Sequence, residues 1–181
     1  MALRGLIGVI MVLAASAAHA EETAVAELKE GQKAPDFKLA SNEGKTVSLK
    51  DFAGRKRVVL YFYPKDDTPG CTVEACEFRD AARKFESEDT VVLGVSPDGV
   101  DSHQKFIQKF KLPFILLSDD QKKVVQDYGV WVKKSMYGRE YMGVARTTFI
   151  IGKDGKIAKV YEKVKPEGHT EEVLEFLMKN A

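Results

Sequence analysis

A chain of 181 residues is long enough for one domain with a sizeable core, and 44% hydrophobic with 30% charged residues is ordinary for a soluble globular protein. The formal net charge of +1 carries no global signal for nucleic acid or for an acidic membrane surface, so neither is an expected partner.

Residues 1–20 have a composition of their own. Arg4 is the only charge before Glu21, Leu6 to Ala15 is an apolar run, and Ala18-His19-Ala20 is a small-residue site. A basic start, a short apolar core and an A-x-A site are the pattern of a signal peptide cleaved after Ala20. A membrane anchor is the alternative, but the apolar core falls short of the roughly 20 residues that a span needs. The expected division is therefore a signal peptide over 1–20 and a single domain over 21–181, in a periplasmic or secreted protein. Removing the leader takes away Arg4 and no acidic residue, which leaves the mature chain formally neutral.

In the mature chain, 21–30 is polar and expected to be loose. Asp36 to Ala40 alternates as a short strand, Asn42 to Lys45 is a turn, and Thr46 to Leu49 is the return strand. Phe37 and Leu39 share its inner face. Val58 to Tyr63 is apolar on both faces, as in a central strand covered on both sides. It ends at Pro64, and a helix follows, with Thr68 at its N-cap and Pro69 at its first position. Ala75, Phe78, Ala82 and Phe85 recur at helical spacing. Val91 to Ser96 is a second buried strand, 100–110 a helix with Phe106, Ile107 and Phe110 on one side, and 114–118 a further strand. Asp119 or Asp120 caps a helix that runs to about Tyr128. Residues 129–145 show no clear period; core or rim packing is the expected role of Trp131, Met136, Tyr137, Tyr141 and Met142 there, with a wall of the active site or a contact for the reductant as the alternative. The strands at 147–151 and 157–161 flank an Asp-Gly turn, and an amphipathic helix from His169 to Asn180 closes the chain. Strands alternating with helices and ending in a hairpin imply an α/β fold with a mixed central sheet flanked by helices and preceded by an N-terminal β-hairpin.

The chemistry concentrates after Pro64. Cys71 falls in the first turn of its helix, where backbone N–H groups have no intrahelical partner and partial positive charge favours a thiolate. The Thr68 hydroxyl is within reach of the same spot, and Pro64 offers an apolar wall without an N–H. Cys76 lies five positions on. In an intact helix that spacing puts the two Cα atoms about 8.6 Å apart. A disulfide needs about 7 Å or less, so a bond between the two sulfurs requires the helix to unwind. The three histidines, His19, His103 and His169, are scattered, with the latter two expected on helix surfaces. There is no CxxC, P-loop or dinucleotide fingerprint, so neither a metal nor a cofactor is expected.

The string TPGCTVEACEFRD, with Pro64, Thr68 and Cys71 in the pattern P-x-x-x-T-x-x-C, resembles the peroxiredoxins, and in particular the bacterioferritin-comigratory-protein (PrxQ) subfamily. YFYPKD, LGVSPD, LLSDD and RTTFIIGKDGKI add to the resemblance, which covers roughly Gly31 to the C-terminus. It implies a thioredoxin-like fold and a monomer. It also implies a thiol peroxidase that reduces hydrogen peroxide and organic hydroperoxides, with Cys71 as attacking and Cys76 as resolving cysteine and a thioredoxin-like dithiol as reductant. Through the R-T-T-F string it makes Arg146 the active-site cation, ahead of Arg79, Arg83 and Arg139, and Glu74 the carboxylate that orients it. Two other readings stay open at this point: a thiol–disulfide oxidoreductase or redox sensor on the same fold, and a binding domain with a structural disulfide.

Overall fold

The computed structural model describes residues 27–180, so the leader expected over 1–20 lies outside the described residues. Nine strands and five α-helices follow in the order β1 (Lys38–Ser41), β2 (Thr46–Ser48), β3 (Arg57–Phe62), α1 (Pro69–Asp80), α2 (Ala82–Ser87), β4 (Thr90–Ser96), α3 (Val100–Phe110), β5 (Ile115–Ser118), α4 (Lys123–Asp127), β6 (Trp131–Met136), β7 (Arg139–Val144), β8 (Thr147–Ile151), β9 (Ile157–Tyr161) and α5 (His169–Lys179). A seven-stranded sheet runs β2-β1-β5-β4-β3-β8-β9. Its centre is parallel, β3 with β4 and β4 with β5, and β1 and β8 join antiparallel on either side. This is the mixed α/β sheet that the alternation of strands and helices implies, and the N-terminal hairpin β1–β2 extends it at one edge.

The two-residue period of β3 divides the core. Val58, Leu60 and Phe62 face a layer with Phe37, Tyr128 and Phe149. Val59, Tyr61 and Tyr63 face the layer of α1, α3 and α5, with Cys71, Phe78, Phe106 and Leu177. Central strands buried on both faces explain why Val58–Tyr63 has no polar alternation.

The structure departs from the sequence-based expectations at several places. The stripe from Ala75 to Phe85 is two helices, broken by a turn at Ala81, with Phe78 and Phe85 still buried together. His103 and His169, expected at the surface, have 0% and 2% relative exposure. Each is buried because a polar partner meets it: Asp66 for His103, Thr148 for His169. Residues 129–145 hold the β6–β7 hairpin, closed by Tyr137 and Gly138, both at positive φ (51° and 75°) as a tight two-residue hairpin requires. On it Met136, Tyr137, Tyr141 and Met142 are exposed, Tyr137 at 97%, so they are not packed as expected; Trp131 alone of the five packs against the core.

Candidate active site

The site forms where β3, α1 and the start of β8 meet. Register pairs Phe62 with Thr147, so the residue before Thr147 emerges beside the end of β3. That residue is Arg146, and α1 begins only a short loop beyond the end of β3. Two segments far apart in sequence thus converge because their strands are hydrogen-bonded neighbours.

Thr68 takes the N-cap position with extended backbone, and Pro69 occupies the first turn. The Thr68 side chain makes no capping bond, however. Its hydroxyl donates to the Lys65 carbonyl at 3.1 Å, which tightens the preceding turn. Pro64 is exposed at the head of that turn.

Cys71 lies in the first turn of α1, 1% exposed, with a free thiol. Arg146 Nη2 donates to its Sγ at 3.3 Å. Nη1 of the same guanidinium donates to Glu74 Oε2. Glu74, one turn after Cys71, is fully enclosed. Burial pushes its carboxyl up to about 7, against the pull of Arg146. Burial works against the Arg146 cation in turn, but Glu74 and then Cys71 outweigh it and hold its pKa above the ordinary arginine value. One cation is thereby held between a carboxylate and a sulfur in a water-poor site, where its charge acts most strongly. Gly70 leaves room for this arrangement: a Cβ there would lie 3.3 Å from Pro166 Cγ and 3.5 Å from Arg146 Nη2.

Cys76 is also a free thiol, half-buried, on the same uninterrupted helix. The helical spacing that keeps the sulfurs from bonding is therefore the spacing present here. Arg79 bonds the Phe110 carbonyl and Asp80, and Arg83 and Arg139 are exposed; Arg146 is the arginine whose guanidinium bonds the Cys71 sulfur.

Two features lay beyond the sequence reasoning. Lys134, from β6, donates to the Val144 carbonyl at 2.6 Å and is close enough to Arg146 and Cys71 to feel both; burial first, then Arg146, holds its ammonium below the ordinary lysine value. Nothing in an aperiodic segment marks it. A buried network also surrounds the loop before α1: Asp66 accepts from Tyr63 Oη at 2.6 Å, Ser102 Oγ at 2.7 Å and His103 Nδ1 at 2.8 Å. The pair of aspartates after Pro64-Lys65 was a signal for it, but the residues of α3 that meet them were not. Among the described residues no three His, Cys, Asp or Glu side chains gather as a metal site, and no helix is long and apolar enough to cross a membrane.

Residues 30–160 match the AhpC/TSA family. The chain belongs to that family, the peroxiredoxins, which are thiol peroxidases on a thioredoxin-like fold. It is 51% identical over 147 residues to peroxiredoxin Bcp of Bacillus subtilis, covering 81% of this chain and 93% of that protein. It is 54% identical over 144 residues to a putative peroxiredoxin bcp of Coxiella burnetii, covering 80% and 95%. Among solved structures it resembles the bacterioferritin comigratory protein of Xanthomonas campestris, whose trapped intermediate and ligand complexes concern alkyl peroxide reduction, with a TM-score of 0.76 at 35% identity over 80% of this chain and 91% of that one. These relatives place it in the bacterioferritin-comigratory-protein (PrxQ) subfamily.

Proposed function

We propose that Cys71 is the peroxidatic and Cys76 the resolving cysteine of this peroxidase. The observation that carries the reading is the guanidinium of Arg146, bonded at once to Cys71 Sγ and to the buried Glu74 at the start of α1. In the first step the Cys71 thiolate attacks one peroxide oxygen. An S–O bond forms, the O–O bond breaks, and the leaving oxygen departs as water or alcohol after taking up a proton. Arg146 and the free N–H groups of the first turn stabilise the charge moving onto that oxygen. Cys71 is left as a sulfenic acid. In the second step α1 unwinds, Cys76 sulfur attacks Cys71 sulfur, the S–S bond forms and water leaves. A thioredoxin-like protein dithiol then returns both thiols by exchange.

Hydrogen peroxide and alkyl hydroperoxides are both substrates in this reading; the second is supported by the alkyl peroxide reduction of the Xanthomonas campestris protein. The apolar run from Leu6 to Ala15 and the Ala18-His19-Ala20 site support an exported, periplasmic or secreted protein, cleaved after Ala20 to leave one domain over 21–181. The enzyme acts as a monomer in this reading, as the resemblance to the PrxQ subfamily implies.

Single-turnover kinetics test the assignment. Cys71→Ser abolishes peroxide consumption, whereas Cys76→Ser consumes one equivalent and then stalls as a sulfenic acid. Full turnover by Cys71→Ser overturns the reading, as does unimpaired recycling by Cys76→Ser.

A further inference from the structure

Resolution requires α1 to come apart between its cysteines, and the tethers around that helix are unevenly spread. Just before it, Asp66 is a buried carboxylate bonded by Tyr63, Ser102 and His103. Its backbone N–H donates to Asp98 Oδ2 at 2.7 Å, and Asp98 accepts from Ser96 Oγ in turn. These partners belong to the end of β3, to β4, to α3 and to the β4–α3 junction, none of which has to move with α1. The next residue, Asp67, stands at φ 54°, a left-handed conformation uncommon outside glycine and suited to a hinge.

The far side is pinned as well. Glu77 accepts from the N–H of Gly168, at the N-terminus of α5, with both carboxylate oxygens at 3.1 Å. Phe78 is fully buried and packs on Tyr61, Phe85, Phe114 and His169. Arg79 Nη1 donates to the Phe110 carbonyl at the end of α3.

Between these anchors Asp67 holds only an exposed ion pair with Lys109 of α3, the side-chain tethers of α1 itself converge on Arg146 through Cys71 and Glu74, and Val73 is exposed. Conversion of the Cys71 thiolate to a neutral sulfenic acid replaces a charge-assisted bond to Arg146 with a weaker one. The chemistry of the first step therefore loosens this segment, and leaves the Asp66 and Glu77 anchors as they were.

We propose that Asp66 and Glu77 are positioning residues for the resolution step, marking the two ends of a melting segment at 67–76. This rests on the assignment of Cys71 and Cys76 above. The anchors keep Cys76 close to Cys71 once the helix is gone, and they keep the apolar contacts of Phe78 and Phe85 out of water.

Hydrogen exchange followed by mass spectrometry, on the reduced and the disulfide form of the whole protein, tests it. Expected in the wild type is a loss of protection on oxidation confined to 67–76, with 64–66 and 78–87 unchanged. Expected for Glu77→Gln is a reduced form with wild-type protection and a peroxide step within about twofold of wild type, but an oxidised form in which the loss spreads into 77–80. Asp66→Asn extends the loss toward Pro64 in the oxidised form. A general loosening of either fold would appear in the reduced form too, which separates positioning from mere stability. Melting that runs through Phe85 in the wild type, or boundaries unmoved in both variants, overturns the proposal while leaving the cysteine assignment intact. Failure of the wild type to form the Cys71–Cys76 disulfide overturns both.

Discussion

Replacing Arg146 by glutamine removes the cation facing the reactive sulfur while keeping a side chain of similar reach. Two unit charges 3.3 Å apart attract by about 5 kcal/mol at an effective dielectric near 20. Screening by water is limited, because the Arg146 side chain is only 15% exposed. Glu74 shares the same guanidinium, however, and part of its charge is spent there. That brings the net stabilisation of the transition state to about 3 kcal/mol, the range found when one oxyanion donor is deleted from an enzyme. The expected result is a peroxide reaction roughly a hundredfold slower at pH 7. Stopped-flow mixing of reduced protein with hydrogen peroxide, with Cys71 trapped by alkylation, measures it. Arg83→Gln, an exposed charge on α2, is the control and leaves the rate unchanged. An Arg146→Gln enzyme within about threefold of wild type would refute the electrostatic account.

Two further outcomes concern stability. Glu74 titrates at about 7 in the folded protein against 4.5 when exposed, so between these values the folded state holds the extra proton. Its contribution is most favourable below pH 4.5 and declines as pH rises toward 7, by about 3 kcal/mol over the window. Thermal melts of Glu74→Gln across that range should therefore fall off less with pH than wild type; parallel profiles would rule out the buried carboxyl as the source. Gly94→Ala tests the packing beneath α1, since a Cβ there would lie 2.7 Å from Leu116 Cδ2 and from the Tyr61 ring and hydroxyl. A loss of about 2 kcal/mol, or roughly 4–8 °C in melting temperature, is expected, and an unchanged melting temperature would show that Tyr61 moves aside freely.

The central strands, α1, α3 and the closing hairpin were legible because each carries a strong local pattern: continuous apolar runs at Val58–Tyr63 and Val91–Ser96, Thr-Pro at a helix start, Asp-Gly in a turn. The β6–β7 hairpin was not, because its strands lack a buried face to impose alternation and its turn pairs Gly138 with a tyrosine at positive φ. The same limit applies to the histidines. A helix residue is buried or exposed according to what lies across from it, and the acceptor of His103 comes from a loop 37 residues away. Within the site, Cys71 and Cys76 follow from local sequence, whereas the bond from Arg146 to Cys71 spans 75 residues and exists because β8 pairs with β3. The Thr68 hydroxyl shows the reverse failure: a good capping residue in the capping position, diverted by the nearer carbonyl of Lys65.

The enclosure of Cys71 sorts callers by size. With the helix closed the residue is 1% exposed, so the folded surface of another protein cannot reach its sulfur. Bulky protein disulfides therefore meet a shut door in the resting enzyme. Only after oxidation opens the coil do the linked sulfurs come within a protein donor's grasp, so the donor waits on the oxidant and the order of visitors is built into the chain.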